Sequence, residues 1–155
     1  MAPKRLLIVA HAPSENTRSL LDAIVRGAQS VADDRMEIVA QTAFETNSDQ
    51  VIQAHAIILG TTENLGYMSG GLKDFFDRIY YPCLEKTQGL PYSLVIRAGQ
   101  DGTGTLRAVD TITTGLRWRA VQEPLICKGD WRPDFIGQCE ELGAATAQGL
   151  DLGVF

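Results

Sequence analysis

Two short polar turns, each directly after an apolar run, carry the residues best suited to chemistry. His11-Ala12-Pro13-Ser14-Glu15-Asn16-Thr17 follows the run at residues 6–10, and Gly60-Thr61-Thr62-Glu63-Asn64-Leu65-Gly66 opens the stretch after the run at 56–59. The first offers the hydroxyls of Ser14 and Thr17, the amide of Asn16 and main-chain N–H groups at the start of an expected helix, where they lack partners inside the helix. Such an end attracts a phosphate monoester. The helix dipole adds only about 0.3–1 kcal/mol for an anion, so direct hydrogen bonds must supply most of the affinity. Ser14 and Asn16 are equally suited to capping the helix. In the second stretch Gly60, Gly66, Gly70 and Gly71 give a backbone able to lie against a flat ring,. A third loop, Ala98-Gly99-Gln100-Asp101-Gly102-Thr103-Gly104, follows another apolar run at 93–98.

The elements that position these loops follow from hydrophobic pattern. Residues 6–10, 56–59 and 93–98 are nearly continuous apolar runs, as expected of parallel strands covered on both faces,. Residues 36–40 and 121–127 are more mixed and read as edge strands,. Leu20, Leu21, Ile24, Val25, Ala28 and Val31 recur with helical period,. So do Leu72, Phe75, Phe76, Ile79 and Cys83, and again Leu106, Val109, Ile112 and Leu116,. A further helix starts at Pro133 and runs to about residue 150, and a short helical turn is expected at 49–53,. Strictly alternating strands and helices imply an α/β three-layer, doubly wound, five-stranded parallel sheet of order 2-1-3-4-5. Its ligand crevice lies at the carboxyl rim between the first and third strands, where the winding reverses. All three loops open there.

Composition narrows the function. The 155 residues suit a single domain over residues 1–155, without internal repeat or linker,. A net charge of −5, with no block of Lys and Arg, argues against a nucleic-acid partner,. No apolar stretch has the length of a membrane span or a secretory leader, so a cytoplasmic location is expected. Cys83, Cys127 and Cys139 are odd in number and lack metal-ligand spacing; reduced, idle thiols are expected and no metal site,. The first loop has no glycine where a dinucleotide fingerprint needs three, and no Gly-Lys-Ser/Thr is present for a triphosphate,.

On these loops the chain resembles the flavodoxin-like superfamily, in particular NAD(P)H-dependent FMN reductases and WrbA-type quinone reductases. Ala12-Pro-Ser-Glu-Asn-Thr17 is similar to the family phosphate loop (S/T)-x-x-G-N-T. Residues 60–78 are similar to its G-(T/S)-P-x-x-x-G-x-(M/I)-(S/P)-G-x-(L/M)-K stretch. The resemblance spans essentially the whole chain. It implies a non-covalent FMN with its phosphate on Ser14, Asn16 and Thr17, and with His11 and Glu15 of the same loop as further cofactor-site candidates. The ring would lie between Thr62, Glu63, Asn64, Leu65 and Gly66 on one side and Ala98, Gly99, Gln100, Asp101, Gly102 and Thr103 on the other. Glu15 stands where the family has glycine, Ala12 replaces a hydroxyl residue and Thr62 replaces proline. A carboxylate at Glu15 facing the phosphate would weaken binding.

The expected activity is transfer of electrons from NADH or NADPH through the flavin to a quinone, free flavin or similar small acceptor, with homodimers or homotetramers expected by analogy. The alternatives are a flavodoxin-type carrier, or a flavin-free or flavin-sensing interaction protein. A carrier sandwiches its ring between aromatics, and here only Tyr67 lies near a ring loop; Trp118 and Trp131 suit core or rim packing,. No nucleophile constellation is visible, and the catalytic residues are not assignable. His11 suits cofactor contact or loop packing, His55 nothing chemical, and Glu63 a solvated loop carboxylate,. Asp74, Asp77 and Arg78 read as a solvated helix face,.

Overall fold

In the computed structural model, which describes residues 2–155, the strands β1 (Lys4–Ala10), β2 (Met36–Thr42) and β3 (Ala56–Asn64) pair in parallel with β1 in the centre. Helices α1 (Glu15–Val31) and α2 (Ser48–Ile52) make the two connections. After β3 come the short strand β4 (Tyr67–Met68), helix α3 (Gly70–Cys83), strand β5 (Pro91–Ala98) and helix α4 (Thr103–Leu116). The chain ends with β6 (Arg119–Ala120), β7 (Leu125–Lys128) and α5 (Asp134–Leu152).

Counted along the chain the order is β2-β1-β3-β5-β6, with β7 also on β5 and β4 on β3. The five expected positions keep their places, and the winding reverses at β1 and β3. The sheet nevertheless has seven strands. One extra strand is β4, which pairs antiparallel with the end of β3. The other arises because the expected strand at 121–127 is split. Tyr92 pairs with Ala120 and Val95 with Leu125, so the outer chain has two residues more than β5 over the same span. It bulges at 121–124, where Pro124 has no N–H to give the ladder,.

Successive side chains of a strand point to opposite faces, and here both faces are covered. Leu7, Val9, Ile57, Leu59, Leu94 and Ile96 face α3 and α4, where Phe75, Phe76, Ile79 and Val109 close one core. Leu6, Ile8, Ala56, Ile58 and Val95 face α1 and α5, against Leu20, Ile24, Phe135 and Leu142. These two helices lie almost backbone to backbone: a Cβ on Gly27 would sit 1.9 Å from the carbonyl oxygen of Glu140. Among the described residues no helix is long and apolar enough to cross a membrane.

Candidate functional site

At the end of β1 the chain turns through His11, Ala12 and Pro13 into α1, with Ser14 as N-cap. Ser14 Oγ accepts from the Thr17 N–H at 3.1 Å, and the Ser14 N–H donates to Thr17 Oγ1 at 2.9 Å. The Thr17 hydroxyl also donates to the Ser14 carbonyl at 3.0 Å and meets Ser14 Oγ at 2.9 Å. In this capping box the Thr17 proton goes to the Ser14 carbonyl, while Ser14 Oγ accepts from the Thr17 N–H, so the capping role expected of Ser14 is present,. Besides the exposed Ser14 hydroxyl, the loop offers an anion the N–H groups of Glu15 and Asn16, the first two of α1, and the exposed Asn16 amide,. The Glu15 side chain is exposed.

Beneath this loop lies a small cavity of about 20 Å³, lined among others by His11, Thr17, Gly60, Val95 and Arg97. Arg97 was not singled out from sequence, although a charge inside an otherwise buried strand is a readable signal. It donates to the carbonyls of Ala98 at 2.7 Å and Cys127 at 3.0 Å, and lies 5.2 Å from the Phe135 ring and 5.9 Å from that of Trp131. Trp131 therefore serves the rim, whereas Trp118 is buried and donates its indole N–H to Thr87 Oγ1 at 2.9 Å. His11 packs edge-on to Phe44 at 5.4 Å, and its buried Nδ1 has no hydrogen-bond partner among the described residues. Phe44, itself exposed, is a second rim residue that sequence did not flag.

The second predicted loop is a hairpin arm. Thr62, Glu63 and Asn64 belong to β3, which pairs Glu63 with Met68 and Asn64 with Tyr67. Only Leu65 and Gly66 form the turn, at φ of 53° and 76°, the two positive values a type I′ turn requires,. Leu65 is fully exposed and Tyr67 largely so. The arm lies on the start of α4: Thr105 Oγ1 donates to the Tyr67 carbonyl at 2.9 Å, and a Cβ on Gly104 would stand 2.1 Å from the Gly66 carbonyl oxygen. Only glycine admits that approach.

The third loop is tied to this arm by Glu63. The Gln100 N–H donates to Glu63 Oε1 at 3.0 Å and the Gly102 N–H to Oε2 at 2.9 Å. The expected solvated carboxylate is thus a bridge between two of the loops, held by two main-chain donors that sequence spacing cannot show. Gly102 has φ of 72°, and a Cβ there would be 2.7 Å from Ile126 Cγ2. Asp101 accepts from the N–H and hydroxyl of Thr103 at 3.1 and 2.9 Å. Those bonds, the N–H first, hold its carboxyl below the usual aspartate value,. Gly99 and Gln100 are exposed, while Ala98 is buried at the strand end.

The remaining candidates lie apart from the rim. His55 Nδ1 accepts from the Arg5 N–H at 2.8 Å, at the opposite end of the sheet. Asp74 and Asp77 pair along α3 with Arg78 and Lys73. Arg78 departs from the expected solvated role: it donates to the carbonyls of Thr46 and Ala43, both at 2.7 Å, and so braces the segment carrying Phe44. The three cysteines are free and buried. Burial pushes the Cys83 thiol up to about 11, and its bond with Cys127, together with burial, keeps Cys139 protonated,.

No protein-family model matches this sequence, and no curated protein sequence matches it either. Solved structures do. The chain superposes on a flavodoxin from the domain Archaea with a TM-score of 0.78 at 18% identity, covering 95% of this chain and 99% of that one. It matches the flavodoxin of Megasphaera elsdenii with a TM-score of 0.75 at 19% identity, covering 92% and 98%. For a WrbA-like flavodoxin from Agrobacterium tumefaciens the TM-score is 0.75 at 14% identity, covering 97% and 99%. The chain has the flavodoxin-like fold.

Proposed function

We propose that this chain binds FMN in the rim cleft and passes electrons from NADH or NADPH through it to a quinone, free flavin or similar small acceptor. The observation that carries the reading is the start of α1, where the N–H groups of Glu15 and Asn16 have no acceptor among the described residues and Arg97 is among the residues lining the cavity beneath,. The phosphate binds there, joined by the Asn16 amide. The ring lies against the hairpin arm and the 98–103 loop, whose donors fit it once the Glu63 carboxylate has moved off them. When bound, the flavin supplies the hydride and electron exchange, so the protein needs no nucleophile of its own. The chain's residues orient the ring and exclude water from one of its faces. Self-association as a homodimer or homotetramer, and a cytoplasmic setting that keeps the three thiols reduced, belong to the same reading.

A flavodoxin-type carrier is the second reading, favoured by exposed Leu65, Tyr67 and Phe44 on the rim, which a protein partner could cover,. Anaerobic NADPH titration of FMN-loaded protein, followed by a panel of quinones, decides. Bleaching by NADPH and reoxidation by a quinone are expected. A yellow protein that NADPH leaves yellow is a carrier or sensor, and one that stays colourless with FMN is neither.

A further inference from the structure

The Glu63 carboxylate presents two acceptor oxygens separated by one carbon, and each takes a main-chain N–H of the third loop. The N1–C2=O2 edge of an oxidised flavin has the same arrangement, two acceptors separated by one carbon. The side chain therefore occupies the loop as that edge would. Resting on the FMN reading, we propose that Glu63 is a self-ligand of the ring subsite, an autoinhibitory contact that must leave Gln100 and Gly102 before a flavin edge can take its place.

Three features support this. The two donors are convergent, since one carboxylate satisfies both, so they form a built subsite for paired acceptors,. The arm that delivers Glu63 does not depend on it. Ladder pairs to Met68 and Tyr67, the Thr105 bond to the Tyr67 carbonyl and the Gly66–Gly104 approach hold the hairpin in place without the carboxylate. The subsite can therefore open by rotation of one side chain, with the backbone unchanged. Finally, β3 outruns its pairing with β5, which ends at Thr62 and Arg97, so Glu63 lies beyond the β5 ladder and its side chain can swing toward solvent.

The test uses Glu63→Ala and Glu63→Gln with two probes, FMN and riboflavin, the second lacking the phosphate. Losing a competitor held by two charge-assisted hydrogen bonds is expected to tighten both ligands about tenfold or more in Glu63→Ala. Glu63→Gln, which keeps one acceptor oxygen, is expected to lie between. In the unliganded protein, amide exchange at Gln100 and Gly102 should accelerate in Glu63→Ala while that of the β3 ladder stays unchanged. Equal or weaker flavin binding in Glu63→Ala, with the wild type binding FMN, overturns the self-ligand and leaves the FMN site standing. FMN binding to none of the three proteins overturns the FMN reading and this inference with it. Unchanged exchange at both amides also overturns the inference.

Discussion

At the α1 end of the rim cleft the N–H groups of Glu15 and Asn16 have no acceptor among the described residues, whereas at the hairpin end those of Gln100, Gly102 and Thr103 are all taken by the chain's own carboxylates. Both regions are short, polar and glycine- or hydroxyl-rich in sequence, yet their donors have different histories. A helix start creates orphan N–H groups by its geometry, and a side-chain cap can satisfy only part of the set. A loop has no such obligation, and acidic neighbours can satisfy it. Free donors at the α1 end are thus built into the fold, while those at the hairpin end are already in use.

The largest expected effect tests whether the hairpin end is as rigid as this contrast requires. Gly104→Ala places a methyl on the Gly66 carbonyl oxygen, where backbone rather than a flexible side chain must move. We expect a loss of about 2–3 kcal/mol in urea unfolding and the loss of riboflavin binding. An unchanged midpoint would mean that the arm is not clamped to α4. The next effect separates the ends chemically. Arg97→Met removes the charge of a residue that lines the cavity under the first loop, and the affinity ratio of FMN to riboflavin should fall roughly tenfold by fluorescence titration,. An equal fall for both ligands would place Arg97 with the ring end instead. A smaller effect depends on pH. The Thr103 N–H and hydroxyl hold the Asp101 carboxyl below its usual value, so this contact stabilises the loop fully at neutral pH and is lost as pH falls through the depressed folded-state value,. Asp101→Ala should lower the melting temperature at pH 7, and the gap to wild type should close in acid. A gap that persists there would assign the effect to packing.

Pattern exposed most of the frame and little of the donor accounting. The periodic stripes at Leu72, Phe75, Phe76, Ile79 and Cys83 read correctly because burial on a helix face must repeat with the helix,. The split of the last strand was hidden because it arises from a register difference against β5, a property of two segments at once. Glu63 failed for the same reason: its partners lie on a loop 37 and 39 residues away, and a loop carboxylate is usually solvated,. The hairpin was missed although Leu65-Gly66 sits at its tip, because leucine rarely adopts a positive φ and gave no turn signal,. For Ser14 both a capping and a ligand role fit the residue type, and the structure shows the cap.

The smallest expected effect bears on the open end. Glu15 occupies the first position of α1, where its charge favours the helix dipole and opposes a bound phosphate,. Its side chain is exposed and makes no ion pair among the described residues, so water and salt screen it strongly,. Glu15→Gln keeps the shape and removes the charge, and we expect FMN to bind about two- to threefold more tightly at low salt, with riboflavin unchanged. Raising the ionic strength should erase the difference, because beyond a Debye length of about 8 Å the exposed carboxylate no longer acts on the anion. Glu15→Gly gives the same charge change with added backbone freedom at the helix start. A gain seen with glycine but absent with glutamine would trace the cost of Glu15 to main-chain geometry at the phosphate and not to its charge.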